Sequence, residues 1–178
     1  LGSNTTANNN AAFGHSALAS NTTGTQNTAV GSTALDANST GNYNTAIGFS
    51  ALGSNTTADS NTALGYGTLS LNTTGHSNVA IGTNTLDANT TANNNTGVGF
   101  SALSANTTGT ENTAIGTAAL GSNTTADNNS AVGRFSLGTN TTGANNTAVG
   151  YHSLLLNTTG TFNTAVGSLA LDAQTTAD

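Results

Sequence analysis

Cysteine, proline, methionine and tryptophan are absent from this sequence of 178 residues, and only 4% of its residues are charged. Without cysteine, neither a disulfide bond nor a thiolate metal site can form. Arg134 is the only basic residue, and seven acidic residues give a formal net charge of −6. Because nucleic acids attract basic surfaces, we expect no nucleic-acid partner. No apolar run is long enough for a membrane span, so we expect no direct membrane insertion of this segment.

Large apolar residues are also scarce, since Leu, Ile, Val and Phe together account for only 30 residues, whereas Asn and Thr account for 65. Such a composition is typical of disordered chains, and one interpretation is therefore a low-complexity linker. Against it stands the placement of leucine, which recurs at one fixed phase of a repeat. Disorder does not require such regularity, so we favour a folded repeat domain.

The motif Asn-Thr-Ala-Val-Gly and its variants recur every 17 residues without insertion or deletion, and we number the closing glycine of each motif as position 0. These glycines are Gly14, Gly31, Gly48, Gly65, Gly82, Gly99, Gly116, Gly133, Gly150 and Gly167. A strict short period is the signature of a solenoid, in which each repeat forms one coil stacked on the next. The absence of proline suits a continuous ladder of backbone hydrogen bonds. We therefore treat residues 1–178 as a single repetitive domain, and expect it to be a segment of a longer chain.

Two positions of the repeat carry large apolar residues. Position +4 is always leucine, and position −1 is almost always Val, Ile or Leu. Two such residues per coil are too few for a pair of amphipathic helices but suit a thin coil with one aliphatic side chain from each wall. We predict an all-β fold, a parallel β-solenoid or β-roll of about ten 17-residue coils, with both positions inside.

Asparagine occupies position −4 in every coil and position +7 in almost every coil, where Gln174 is the departure. Asparagine favours turns, and in stacked coils its amide can bond to the identical amide above and below. We therefore predict an Asn ladder at position +7. Its members are Asn21, Asn38, Asn55, Asn72, Asn89, Asn106, Asn123, Asn140 and Asn157.

If position −1 points inward, strand alternation directs positions −2 and 0 outward. Position −2 is alanine in nine coils and position 0 is always glycine. An outward surface this small suits close packing against another protomer, and we predict a homo-oligomer, with a trimer favoured over an end-to-end filament. The candidate interface residues are Ala29, Gly31, Ala46, Gly48, Ala63, Gly65, Ala80, Gly82, Ala114, Gly116, Ala131, Gly133, Ala148 and Gly150.

No residue is assigned a catalytic, metal-binding or cofactor-binding role. His15, His76 and His152 lie at three different phases of the repeat, so they do not predict a metal cluster. Catalysis needs a unique constellation of side chains, and no coil is chemically unusual in sequence. We therefore expect that the protein is not an enzyme and has no cofactor.

A different class of function is suggested by positions +8 and +9, which are nearly always threonine, as in Thr56 with Thr57 and Thr124 with Thr125. A rigid, regular array of hydroxyl and methyl groups suits recognition of an ice surface. Adjacent residues of a strand point to opposite faces, however, so such a pair supplies one outward threonine per coil. Ice binding is the alternative hypothesis.

The motif Asn-Thr-Ala-[Val/Ile]-Gly resembles the head repeats of trimeric autotransporter adhesins. The longer unit, which continues to Asn-Thr-Thr-Gly, is similar to repeats of bacterial surface proteins and of phage tail-fibre proteins. The repeat here is longer than the adhesin repeat, and usually has threonine at position −3 where the adhesin heads favour valine. The resemblance implies a left-handed parallel β-roll that packs as a trimer. It also implies a structural segment of an extracellular fibre, filament or adhesin stalk or head, on a cell surface or a virion, with a host surface or matrix as partner. A phage tail-fibre shaft is the alternative.

Overall fold

The computed structural model describes residues 3–176, and each repeat contributes one short β-strand. The ten strands are β1 (Ala11–Phe13), β2 (Thr28–Val30), β3 (Thr45–Ile47), β4 (Thr62–Leu64), β5 (Val79–Ile81), β6 (Thr96–Val98), β7 (Thr113–Ile115), β8 (Ser130–Val132), β9 (Thr147–Val149) and β10 (Thr164–Val166). The remainder of each coil consists of turns and irregular backbone, and no helix occurs within the described residues.

All ten strands pair in parallel and in sequence order to form one sheet. The register is one repeat per coil, so that Ala46 pairs with Ala63 and Ile47 with Leu64. The fold is thus the predicted all-β parallel solenoid with 17-residue coils. With strands about 4.8 Å apart, the sheet extends about 43 Å from β1 to β10.

The core of the solenoid is very thin. In nine coils the leucine at position +4 is 0% exposed, as predicted, and it packs against alanines at position −2 of the strand. Position +3, usually a small residue such as Ala34 or Ala51, is buried beside it. One leucine per coil therefore fills the space between the strand and the opposite wall.

Two adjacent residues, at positions +3 and +4, both face the core because the backbone of this wall departs from strand geometry. Every leucine at position +4 is in the left-handed region, with φ between 49° and 53°. For a non-glycine residue this conformation costs about 1–3 kcal/mol. Burial of the leucine side chain offsets this cost. The backbone amide of the leucine is also hydrogen-bonded, since Leu35 N–H donates to the Ala51 carbonyl at 3.0 Å.

The predicted orientation of the strand is wrong. Position −1 faces solvent, with Ile47 38% and Leu64 43% exposed, whereas the neighbouring alanines Ala46 and Ala63 are 0% exposed. The physical reason is the thickness of the coil. The leucine at position +4 already spans the interior, so the facing strand has room only for a methyl group, and strand alternation then directs the larger side chain outward.

Glycine at position 0 is required by the stacking of coils along the solenoid axis. The φ angle of these glycines lies between 128° and 141°, a region that other residues rarely adopt. A Cβ added to Gly99 would lie 2.6 Å from the carbonyl oxygen of Gly116 in the next coil. The glycine column therefore reflects contact between successive coils of one chain.

Candidate binding surfaces

The Asn ladder predicted at position +7 is confirmed. From Asn38 onward, each amide bonds to its counterpart in the preceding coil, as where Asn38 Nδ2 donates to Asn21 Oδ1 at 2.9 Å. The same Nδ2 donates to the carbonyl of Gly41 at 3.1 Å within its own coil. All nine side chains are 0% exposed, so the ladder is internal and offers nothing to a ligand.

A second ladder runs through the asparagines at position −4. Asn44 N–H donates to Asn27 Oδ1 at 2.9 Å, and Asn27 Nδ2 donates to the Gly41 carbonyl at 2.8 Å. The Gly41 carbonyl therefore accepts from both ladders. Gln174 replaces asparagine at position +7 of the last coil. Its Nε2 donates to Oδ1 of Asn163, which belongs to the position −4 ladder, at 2.8 Å. The amide oxygen of Asn157, the last member of the position +7 ladder, has no partner within residues 3–176.

The alanines of the predicted protomer interface cannot form one, because they lie inside their own coil. All seven are 0% exposed, namely Ala29, Ala46, Ala63, Ala80, Ala114, Ala131 and Ala148. The accompanying glycines, such as Gly31 and Gly48, are half-buried, and their lack of a side chain is explained by the stacking of coils. Any lateral contact must therefore use other residues.

The outward face of the sheet is a regular surface. It has two parallel columns, one formed by position −3, usually threonine, and the other by the aliphatic residues of position −1. We call these two columns the sheet face. The position −3 threonines are at least partly exposed, and their hydroxyls make no hydrogen bond within the part of the chain that the structure describes. No charged residue interrupts either column.

The threonine pairs at positions +8 and +9 present one outward threonine per coil, as expected from the sequence. The hydroxyl at position +8 points along the axis and donates to the position +8 carbonyl of the next coil, as from Thr107 to Thr124 at 3.0 Å and from Thr124 to Thr141 at 3.1 Å. Position +9, for example Thr125, is exposed. Only one of the two columns therefore presents free hydroxyls to the surroundings.

Aromatic residues at position +1 flank the sheet face at irregular intervals. Phe49 and Tyr66 stack with their ring centroids 5.4 Å apart and their planes 11° from parallel. Other coils have serine or threonine here, as at Ser32 and Thr83. This column is therefore patchy, in contrast to the uniform columns of the sheet face.

One cleft differs chemically from the rest of the surface, and sequence analysis missed it. It has a volume of about 430 Å³ and is lined by Ser122, Arg134, Phe135, Gly138, Thr139, Tyr151, His152 and Leu155. These residues belong to neighbouring coils, so a separation of 17 residues brings them together. The signal available in the sequence was that large side chains occupy positions +1 and +2 in two successive coils.

The three histidines are far apart, and within residues 3–176 no group of three His, Cys, Asp or Glu side chains could hold a metal ion. Among the same residues, no helix is long and apolar enough to cross a membrane. Asp87, at position +5, is partly buried. Burial raises the pKa of its carboxyl group, while hydrogen bonds from the backbone of Asp87 and Ala88 oppose the shift.

Comparison of the chain with protein-family models, curated proteins and solved structures gives no significant match.

Proposed function

We propose that this chain is a structural repeat segment of an extracellular fibre, filament or adhesin, and that its copies assemble side by side through the sheet face. The observation that carries the proposal is the uninterrupted column of exposed aliphatic side chains at position −1. These include Ile47, Leu64, Ile81 and Ile115, all between 36% and 43% exposed. Exposed apolar surface of this length is unusual in a monomeric protein and marks an interaction site.

Uniformity along the axis supports a mechanical role. Each coil repeats the same backbone pairing and the same two asparagine ladders, so the whole rod is held by bonds that do not depend on any single coil. A repeat array of this kind gives stiffness and length at low sequence complexity. A shaft of a phage tail fibre would use the same properties, and both settings are extracellular or on a virion.

The partner that best fits the sheet face is a second copy of the chain. Copies share the same coil spacing, so aliphatic columns can match along their full length, and neither column carries charge that would repel. Completing the burial of each half-exposed aliphatic chain contributes about 0.5–1 kcal/mol, and the contributions add over ten coils. A trimer is the stoichiometry expected from the resemblance to adhesin heads.

The test is the oligomeric state of the purified protein, measured by sedimentation velocity. The variant Ile47→Lys, Ile81→Lys, Ile115→Lys places three charges on the sheet face, and should be a folded monomer where the parent is an oligomer. The matched control is Thr57→Lys, Thr91→Lys, Thr125→Lys, which puts the same charges on the same coils at exposed position +9. The proposal is rejected if the parent protein is a monomer, or if the variant with the three sheet-face substitutions is still an oligomer.

Ice binding is a second candidate, and the sheet face rather than the +8 and +9 columns supports it. Parallel strands place the threonines of position −3 about 4.8 Å apart along the axis, with the aliphatic column two residues away across each strand. Such a flat lattice of free hydroxyls and methyl groups suits a crystalline surface. Thermal hysteresis should then be measurable and be abolished by Thr45→Tyr with Thr113→Tyr. Absence of hysteresis in the parent protein would eliminate this candidate.

A further inference from the structure

The repeat is interrupted chemically at one place on the surface. Positions +1 and +2 are Arg134 and Phe135 in one coil and Tyr151 and His152 in the next, whereas the first seven coils have only small or polar residues at position +2. Structural packing does not need these side chains, because coils without them have the same backbone register. Their clustering therefore calls for another explanation.

The four side chains contact one another closely. The rings of Tyr151 and His152 stack with centroids 3.8 Å apart, and Phe135 meets the His152 ring edge-on at 5.5 Å. The Arg134 guanidinium lies 4.8 Å from the centre of the Phe135 ring and 5.9 Å from that of Tyr151. Cation–π contacts of this kind hold an arginine in place without using its hydrogen-bond donors.

The cluster borders the 430 Å³ cleft, whose floor is formed at position +5 by Gly138 and Leu155. A Cβ added to Gly138 would lie 3.1 Å from Leu155 Cδ1, so glycine keeps the floor of the cleft open. The volume falls within the range of small-molecule sites and suits a single six-membered ring. The cleft has aromatic side walls and one cationic end.

The polar groups of the cluster are unpaired. Within residues 3–176, the Arg134 guanidinium contacts the aromatic rings of Phe135 and Tyr151 and forms no hydrogen bond or ion pair. No acidic residue occurs at position +1 or +2 of any coil. His152 Nε2 is shielded from solvent and has no hydrogen-bond partner among these residues. Buried polar atoms are normally paired, so an orphan beside a cleft indicates that a partner is supplied from outside.

We propose that this cleft binds a small cyclic carboxylate of the uronic-acid class, independently of the structural role proposed above. The planar guanidinium of Arg134 matches a carboxylate with two parallel hydrogen bonds. The C–H groups of a pyranose ring pack against the parts of the Phe135 and Tyr151 rings that line the cleft. A free monosaccharide and one unit of an acidic polysaccharide present the same carboxylate and ring.

Binding is tested by NMR titration of the purified protein with D-glucuronate, with D-glucose as the neutral ligand and an oligogalacturonate as the chain form. Glucuronate should shift the resonances of residues 134–155, and glucose should bind much more weakly. Arg134→Gln should weaken glucuronate binding about tenfold or more, and Arg134→Lys should restore only part of it. Tighter binding of the oligomer would identify a polysaccharide as the source, and equal binding per unit would identify the monosaccharide.

Gly138→Leu tests the cleft itself, because it fills the floor with a side chain that position +5 already tolerates at Leu155. This variant should lose glucuronate binding, and its circular dichroism spectrum checks that it folds, since the added Cβ would lie 3.0 Å from the Phe135 carbonyl oxygen and 3.1 Å from Leu155 Cδ1. The matched control is Tyr66→Ser, which removes an aromatic ring at position +1 of a distant coil and should leave binding unchanged. No binding of glucuronate at millimolar concentration, equal binding of glucose, or retention of binding in both Arg134→Gln and Gly138→Leu would overturn the proposal.

Discussion

At the scale of single residues, the buried asparagine amides allow a coil with almost no apolar core to hold together. Asn89 illustrates the arrangement, since its Nδ2 donates to Asn72 Oδ1 at 2.8 Å and to the Ala92 carbonyl at 3.1 Å, while its Oδ1 accepts from Asn106 at 3.3 Å. Each amide thus satisfies polar groups in three successive coils. A narrow interior leaves no space for water to form these hydrogen bonds, so the asparagine amides must pair the buried polar groups of the corner.

Replacing Asn89 with alanine should therefore destabilise the protein strongly. The substitution leaves the Oδ1 of Asn72 and an amide proton of Asn106 without their partner, and it opens a cavity. We expect a loss of about 2–4 kcal/mol in the free energy of unfolding, measured by urea denaturation followed by circular dichroism. The control is Thr91→Ala, at an exposed position two residues away, which should change the stability by less than about 0.5 kcal/mol. Equal effects of the two substitutions would show that the ladder is not a major source of stability.

Asp87 should make stability depend on pH. Its Oδ1 is shielded without a partner, and burial raises the pKa of the carboxyl group above the ordinary value of 3.8. The folded state therefore holds the proton more tightly than the unfolded state, so the favourable contribution of neutral Asp87 is present at low pH and is lost as the pH rises through the raised pKa. The change in charge state costs stability at pH 7.

Asp87→Asn should consequently stabilise the protein at pH 7 and have little effect below pH 3.8, where the carboxyl group is neutral in both states. Because the side chain is partly exposed, we expect a gain of less than about 1 kcal/mol. Urea denaturation of both proteins at the two pH values measures the difference. A gain of the same size at both pH values would mean that ionisation of Asp87 is not the cause.

At the scale of the coil, the sequence contains enough information for the repeat, the parallel register and the buried leucine column, because all three follow from a period without insertions. The sequence does not show which face of the strand points inward, since this depends on the thickness of the interior. Ala46 and Ile47 alternate as any strand does, and only the leucine opposite them decides that the methyl group faces inward. The cleft at Arg134 was not predicted either, because its residues lie in neighbouring coils and only their large side chains at positions +1 and +2 mark it in the sequence.

Contacts between coils also explain an exception that the repeat pattern leaves unexplained. Position −2 is glycine only at Gly97, and a Cβ there would lie 2.6 Å from the Cγ2 of Thr85. Thr85, at position +3 of the preceding coil, donates its hydroxyl to the Gly99 carbonyl of the next coil at 2.6 Å. Thr68, which faces an alanine at position −2, instead donates its hydroxyl to the Gly65 carbonyl of its own coil at 2.9 Å. Thr85 and the missing methyl group at Gly97 therefore compensate each other across the coil interface.

A double-mutant cycle tests this compensation. Gly97→Ala alone should cost about 1–3 kcal/mol through overpacking, and Thr85→Ala alone should cost less, through the lost hydrogen bond and a small cavity. The double variant restores the alanine pair found at Ala102 and Ala114, and should approach the stability of the parent, which gives a coupling energy of about 1 kcal/mol or more. Additive effects of the two substitutions in urea denaturation would contradict the compensation.

At the scale of the whole molecule, the solenoid is close to a one-dimensional stack. Each strand pairs only with the strands of adjacent coils, and both asparagine ladders connect one coil to the next. Stability in such an array is approximately a sum of coil and interface contributions. The phase of the repeat therefore matters more than the number of residues, since a change of phase misaligns every column at the junction.

Deletion of residues 103–119 should leave a folded, shorter solenoid. The cut joins Ala102 at position +3 to Leu120 at position +4, so the leucine column and both ladders continue across the junction. Because one coil of ten is lost, the dependence of unfolding on urea should fall by about a tenth.

Deletion of residues 103–111 removes only nine residues but joins Ala102 to Asn112, which places an amide where leucine belongs. We expect this second variant to lose far more stability and to show weakened amide protection on both sides of the junction in hydrogen exchange. If deletion of residues 103–111 reduced stability less than deletion of residues 103–119, the coils would not be held by phase-matched columns. Local packing that does not depend on the repeat would then have to explain the fold.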